Sequence, residues 1–319
     1  MELFNVPILF LIFNRLDTTD LVFSEIKKIK PAKLFVASDG PRLERQGEGE
    51  QVIAVRDFVT KNIDWPCEVH TLYRDKNLGC KLAVSSAINW FFYNVEEGIV
   101  LEDDCLPDQS FFYFCEELLD KYRDNEQVMH IGGSNFQNGT KRGEASYYFS
   151  MFNHVWGWAT WRRAWKKYDL TMSTFSEFEK KDIINKYFKA PGDQLYWISN
   201  FKDVIFGRVD TWDFSWFYCV LYNSGLSCIP NVNLVKNIGF GNQATHTNII
   251  IKEMIIERQE LSFPLVHPST IVRNVDADEF TNRKVFGLFS SRFVYIWILK
   301  KVGLYKYAKK IFLLFRKKV

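Results

Sequence analysis

The first hundred residues alternate short apolar runs with amphipathic stretches. Ile8 to Phe13 is continuously apolar, as a strand buried on both faces would be. Thr19 to Lys30 then spaces Leu21, Val22, Ile26 and Ile29 along one helical face. Lys33 to Ala37 reads as a second strand ending at Ser38-Asp39-Gly40-Pro41, and a helix through Val52, Ile53, Val55, Phe58 and Val59 follows. Glu68 to Tyr73 is a third strand, Lys81 to Tyr93 a helix, and Ile99 to Leu101 a fourth strand. Strands separated by single helices predict an α/β fold with a mainly parallel sheet covered on both faces.

Ligands of such sheets sit beyond the carboxyl ends of the strands. Polar chemistry follows every predicted strand here: Asn14-Arg15, Asp39, Arg74-Asp75 and Glu102-Asp103-Asp104. The last group stands out. The apolar run Gly98-Ile99-Val100-Leu101 enters three adjacent acids, and Cys105-Leu106-Pro107 stops the strand. Carboxylates crowded at the end of a buried strand repel one another and lose solvation. Two readings fit them: an exposed acidic turn, or a site for a hard divalent cation that in turn binds phosphate.

The second half is more irregular and more aromatic. Phe111 to Tyr122 predicts a helix, and Val128 to Ile131 a strand ending at Gly132-Gly133-Ser134-Asn135. The segments His154 to Trp161 and Thr211 to Trp216 are rich in tryptophan. Trp156 and Trp158 flank Gly157, where an aromatic face can meet a sugar ring, while most buried tryptophans are core. Trp161 and Trp165, four residues apart beside Arg162-Arg163, read as helical packing. No repeat, low-complexity stretch or clean linker divides residues 1–282.

Composition narrows the class. With 47% hydrophobic and 17% aromatic residues the 319-residue chain can bury a large core, which excludes general disorder. The net charge of +3 hides an asymmetry: residues 283–319 hold eleven Lys or Arg and no acid, leaving the body acidic. Bulky apolar residues alternate with those bases, a composition suited to a membrane-surface helix or to a helix packed on the domain. No nucleic-acid-reading motif accompanies them. Six cysteines without C-x-x-C spacing read as reduced, buried thiols. The N-terminal run lacks a basic flank and a cleavage site, and no stretch reaches about 20 apolar residues. The expectation is a cytoplasmic chain, with the basic tail at the inner face of the membrane.

The ordered motifs from about Pro7 to about Thr247 resemble the GT-A glycosyltransferases, within them the N-acetylglucosaminyltransferase I type. The resemblance implies a nucleotide-binding half over about 1–105, an acceptor half over about 106–282 and an appended tail over 283–319. It implies donor contacts from Phe13, Asn14 and Arg15, a uracil contact from Asp39, and a closing loop that includes Asn77, Gly79 and Lys81. Glu102 and Asp103 would face the donor sugar and ribose, and Asp104 would ligate manganese or magnesium. Val155-Trp156-Gly157-Trp158 is similar to the family's Gly-Trp element near donor and acceptor. Asp213 falls where the family has its catalytic base. The family usually has two adjacent acids there, whereas Phe214 follows Asp213, and Asp210 is a rival. His246 stands in a Gly-rich segment with no secure counterpart, as a further metal ligand, a phosphate contact or a satisfied loop histidine.

Transfer of a sugar from a nucleotide diphosphate needs charge neutralised on the departing phosphate and a base aimed at the acceptor hydroxyl. With one candidate base and no second acid placed as a covalent nucleophile, the expectation is an inverting transferase. It would use a UDP-type donor and a glycan or lipid-linked acceptor, without nucleic acid. Two other classes fit parts of the sequence: a nucleotide-sugar-binding or nucleotidyl-transferring protein, and a membrane-surface protein acting through its tail.

Overall fold

In the computed structural model of the chain, residues 3–239, 256–286 and 298–299 are described. The strands are β1 (Ile8–Ile12), β2 (Lys33–Ser38), β3 (Glu68–Tyr73), β4 (Glu97–Glu102), β5 (Cys105–Pro107), β6 (Val128–Gly132), β7 (Tyr147–Ser150), β8 (Trp158–Trp161), β9 (Leu226–Pro230) and β10 (Val235–Asn237). Eight of them form one sheet in the order β3-β2-β1-β4-β8-β6-β9-β7, and β5 pairs with β10 in a separate ribbon. The pairings align β1, β2, β3, β4, β6 and β9 in one direction and reverse only β7 and β8. This is the mainly parallel α/β sheet expected from the sequence.

Helices cover both faces: α1 (Leu16–Ile29), α2 (Glu48–Lys61), α3 (Gly79–Asn94), α4 (Gln109–Lys121), α5 (Arg162–Trp165), α6 (Phe175–Lys180), α7 (Ile184–Tyr187), α8 (Pro191–Ile205), α9 (Asp213–Tyr222) and α10 (Val275–Thr281). Strand β1 shows why its run is continuously apolar. Ile8, Phe10 and Ile12 pack under α1, α2 and α4, whereas Leu9 and Leu11 pack against α3 and α9. Side chains of a strand alternate between faces, so a strand covered twice must be apolar at every position. Each such side chain contributes roughly 1.5–3 kcal/mol of burial.

Helices α1, α3 and α4 each start two or three residues earlier than expected. Asp108 caps α4 by accepting from Ser110 N at 2.9 Å. Leu21 was expected on the buried face of α1 but is exposed, and Phe23 takes the core position instead. The segment from Trp158 to Trp161 is strand β8, inserted antiparallel between β4 and β6. Trp161 and Trp165 therefore do not share a helical face. Trp161 belongs to the α4 side of the sheet, with Nε1 donating to Leu119 O at 3.0 Å, and Trp165 packs on the α3 side.

A third, strongly aromatic cluster joins α6, α7, α8 and α9. Residues 282–286 continue α10 as a π-helical turn, with Val285 buried and the Phe286 ring 4.9 Å from Trp197. Most of the basic tail expected over 283–319 lies outside the described residues. All six cysteines are free. Among the described residues no helix is long and apolar enough to cross a membrane.

Candidate functional site

The carboxyl ends of β1, β2, β3 and β4 open on one cleft of about 340 Å³. Phe13, Asn14 and Arg15 line it after β1, Asp39 after β2, Arg74 after β3, and Glu102 and Asp103 at the end of β4. Four elements separated in sequence thus bring the expected polar groups to one place, with Ala37, Ala83 and Ala87 leaving room between them.

The acidic triplet is not an exposed turn. Asp103 is only 4% exposed. Arg15 Nη2 donates to Asp104 Oδ2 at 2.8 Å and also to Asp103 Oδ1. Burial, then the charges of Asp104, Asp103 and Asp213, push the Glu102 carboxyl up to about 8. Burial also raises Asp103, to about 6, although Arg15 pulls it down. On Arg15 itself burial works against the charge, but the two aspartates outweigh it and hold the guanidinium more firmly protonated.

One guanidinium bonds two of three crowded carboxyl groups, and the buried Asp103 Oδ2 has no hydrogen-bond partner. A cluster of hard oxygen donors short of positive charge fits a manganese or magnesium ion that takes its other ligands from phosphate and water. Among the described residues no three His, Cys, Asp or Glu side chains converge on one metal position, so the protein alone would supply a partial ligand set.

The β5–β10 ribbon brings a distant segment to this cluster. Ile238 N donates to Asp104 O at 2.8 Å, and Gly239 lies so close that a Cβ there would sit 2.1 Å from Asp104 Oδ2. His246 lies outside the described residues.

Asp39 has a structural task. Its oxygens accept Leu78 N at 2.9 and 3.1 Å and Gly79 N at 3.2 Å, tying the start of α3 to the end of β2. Asn77 completes the link by donating from Nδ2 to Gly40 O at 2.7 Å. Gly79 has φ +77°, a left-handed conformation that suits glycine, and its missing Cβ makes room for Asp210. Lys81 was expected at the nucleotide, but it does not line the cleft: its Nζ donates to Val204 O on α8 at 3.2 Å.

Of the two tryptophans expected to line the site, Trp158 is core. It has no exposed surface and stacks on His130 and Trp212 at ring distances of 5.1 and 5.6 Å. Strand alternation from β8 turns it onto the buried α3 and α9 face. Trp156 lies in the preceding loop, partly exposed, with Phe136 edge-on at 5.5 Å. Asp213 opens α9, where Oδ1 accepts from Phe214 N at 2.8 Å and from Thr211 Oγ1. Its charge reaches Glu102, whereas Asp210 itself lines the cleft.

Sequence reasoning missed Arg42 and Glu48. Arg42 lines the cleft with its guanidinium 5.3 Å from the Phe13 ring centre, and Glu48 holds it there. A polar loop gave no periodic signal for either residue.

No family model matches the chain, and no curated protein sequence matches it. Solved structures similar to it include the mannosyltransferase PcManGT from Pyrobaculum calidifontis in complex with GDP-Man and Mn2+ (10% identity, 49% of this chain and 44% of that one, TM-score 0.32). Another is TarS 1–349 from S. aureus (10% identity, 71% and 58%, TM-score 0.37). A third is the 4-diphosphocytidyl-2C-methyl-D-erythritol synthase from Anaerococcus prevotii (8% identity, 55% and 84%, TM-score 0.30). The match thus spans under half of the mannosyltransferase. Overlap this limited adds nothing to the chemistry, which rests on the cleft.

Proposed function

We propose that the protein is an inverting, metal-dependent glycosyltransferase. It takes a sugar from a UDP-type donor to a hydroxyl of a glycan or lipid-linked acceptor. The observation that carries this reading is the triplet Glu102-Asp103-Asp104, with Asp103 buried, Arg15 bonded to Asp103 and Asp104, and Glu102 and Asp103 lining the cleft. The resemblance of the same residues to the GT-A acidic triplet supports it.

Asp104, with Asp103 beside it, would hold manganese or magnesium, and the bound ion would supply Lewis-acid stabilisation of the diphosphate leaving group. Arg15 fixes these carboxylates and adds positive charge at the phosphate end. Asp39 and Asn77 hold the α3 loop as the wall of the nucleoside end. Glu102, which lines the cleft, faces the donor sugar in this reading.

Asp213 is the base in this reading. As the acceptor oxygen bonds to the anomeric carbon, its proton passes to the Asp213 carboxylate. The bond from that carbon to the phosphate oxygen breaks on the opposite side, and its electron pair leaves with the diphosphate. Trp212 precedes Asp213 and Trp216 lies one helical turn on, and both are buried. Trp156 borders the acceptor side. The basic tail supports an acceptor presented at an anionic membrane surface.

The test is release of UDP from a panel of UDP-sugars with manganese present, followed by the anomeric configuration of the product. Acceptor-stimulated release with inversion supports the reading. Release of pyrophosphate from UTP and a sugar phosphate would instead assign nucleotidyl transfer.

A further inference from the structure

Glu48 opens α2 and is 3% exposed, yet the proposed reaction has no use for an acid there. Its oxygens accept Arg42 N at 2.7 Å, Arg42 Nε at 3.0 Å, Arg42 Nη2, and Asn14 Nδ2 at 3.0 Å. One buried carboxylate thus fixes two cleft-lining residues that follow different strands, β1 and β2. The Arg42 guanidinium it grips lies over Phe13, a third lining residue, at 5.3 Å from the ring centre.

The location follows from strand order. The triplet ends β4, β1 is its neighbour, and β2 lies beyond. Strands are about 4.8 Å apart, so the Arg42 loop is on the order of 10 Å from the triplet, past a diphosphate and level with a nucleoside. A guanidinium is planar, and a ring beneath it with a carboxylate at its edge leaves one flat face for a base or ribose.

We infer that Glu48 is a positioning residue for the nucleoside half of the donor, acting through Arg42 and Asn14. This rests on the donor-site reading above. Glu48 touches no reacting atom. It sets the orientation of the groups that do the binding, and a glutamine keeps its shape while losing the charge that holds the arginine fork.

The experiment is calorimetric titration of the full chain with UDP plus manganese, and separately with pyrophosphate plus manganese. The proteins are wild type, Glu48→Gln, Arg42→Ala and the double variant, each with its melting temperature. Glu48→Gln and Arg42→Ala should each weaken UDP about tenfold, and the double variant should lose clearly less than the roughly hundredfold that independent effects would give. Pyrophosphate affinity should stay within about twofold in all four, which a general loss of folding would not allow. Arg42→Lys, with the charge but not the planar fork, should also lose UDP affinity and tests the idea even where Glu48→Gln does not fold. Unchanged UDP affinity in Glu48→Gln or Arg42→Lys, or an equal loss of UDP and pyrophosphate, overturns the inference while leaving the donor site standing. A wild-type protein that binds neither ligand overturns the donor site itself, and Glu48 with it.

Discussion

Arg15 Nη2 lies 2.8 Å from Asp104 Oδ2, and the same nitrogen also serves Asp103. This contact makes Arg15 the partner of a cluster it cannot neutralise. A loop that needed only to end a strand would expose its acids. Here they are held in place, and their charge is left for something else to balance.

Removing the arginine should therefore cost more than a surface ion pair would. Arg15→Met leaves the buried Asp103 and the partly exposed Asp104 without their cationic partner, an effect worth about 3 kcal/mol in urea unfolding without metal. Added manganese should restore part of that loss, because the ion takes over the missing charge. A loss under about 0.5 kcal/mol would mean that the triplet is adequately solvated.

The raised carboxyls give a pH dependence of definite sign. A group whose folded pKa lies above its unfolded value stabilises the fold at low pH, and that contribution is lost as pH rises through the folded pKa. Glu102 moves from 4.5 to about 8 and Asp103 from 3.8 to about 6. With metal chelated, stability should fall as pH rises, and from pH 6.5 to 8 most of the decline belongs to Glu102. Glu102→Gln should flatten this upper limb, read as the urea midpoint against pH. An unchanged slope would show that Glu102 is ionised throughout.

Gly239 abuts Asp104, and an added methyl would sit 2.1 Å from its oxygen. Gly239→Ala should displace the carboxylate and reduce manganese-dependent nucleotide affinity about tenfold, with the melting temperature little changed. Unchanged affinity would mean that Asp104 has room to move without consequence.

The two candidate bases separate kinetically. Asp213→Asn should lower the turnover of bound donor by roughly 10²–10⁴ while leaving donor affinity intact. Asp210→Asn should chiefly weaken donor binding, since Asp210 lines the cleft beside Gly79. The reverse pattern would move the base to Asp210.

The parallel half of the sheet was legible because its strands are apolar on both faces and its polar groups follow them immediately. Local sequence therefore placed Arg15, Asp39 and Glu102-Asp103-Asp104 at one rim. Trp158 was misread because its neighbour Gly157 suggested access, while the antiparallel insertion of β8 turned its side chain inward. Lys81 failed for a similar reason: its partner, Val204 O, lies 123 residues away. Arg42 and Glu48 were invisible in sequence, since a salt bridge across an irregular loop has no periodicity. Asp213 was found only through resemblance, and Asp210 gained its place in the cleft from the fold.

The most direct measurement is titration of UDP into the purified protein with and without manganese, for wild type and Asp104→Asn. A donor site built on the triplet predicts binding that requires manganese and is lost in the variant while the melting temperature is retained. Absence of UDP binding by the wild type under both conditions, or binding indifferent to manganese and to Asp104, would contradict the account.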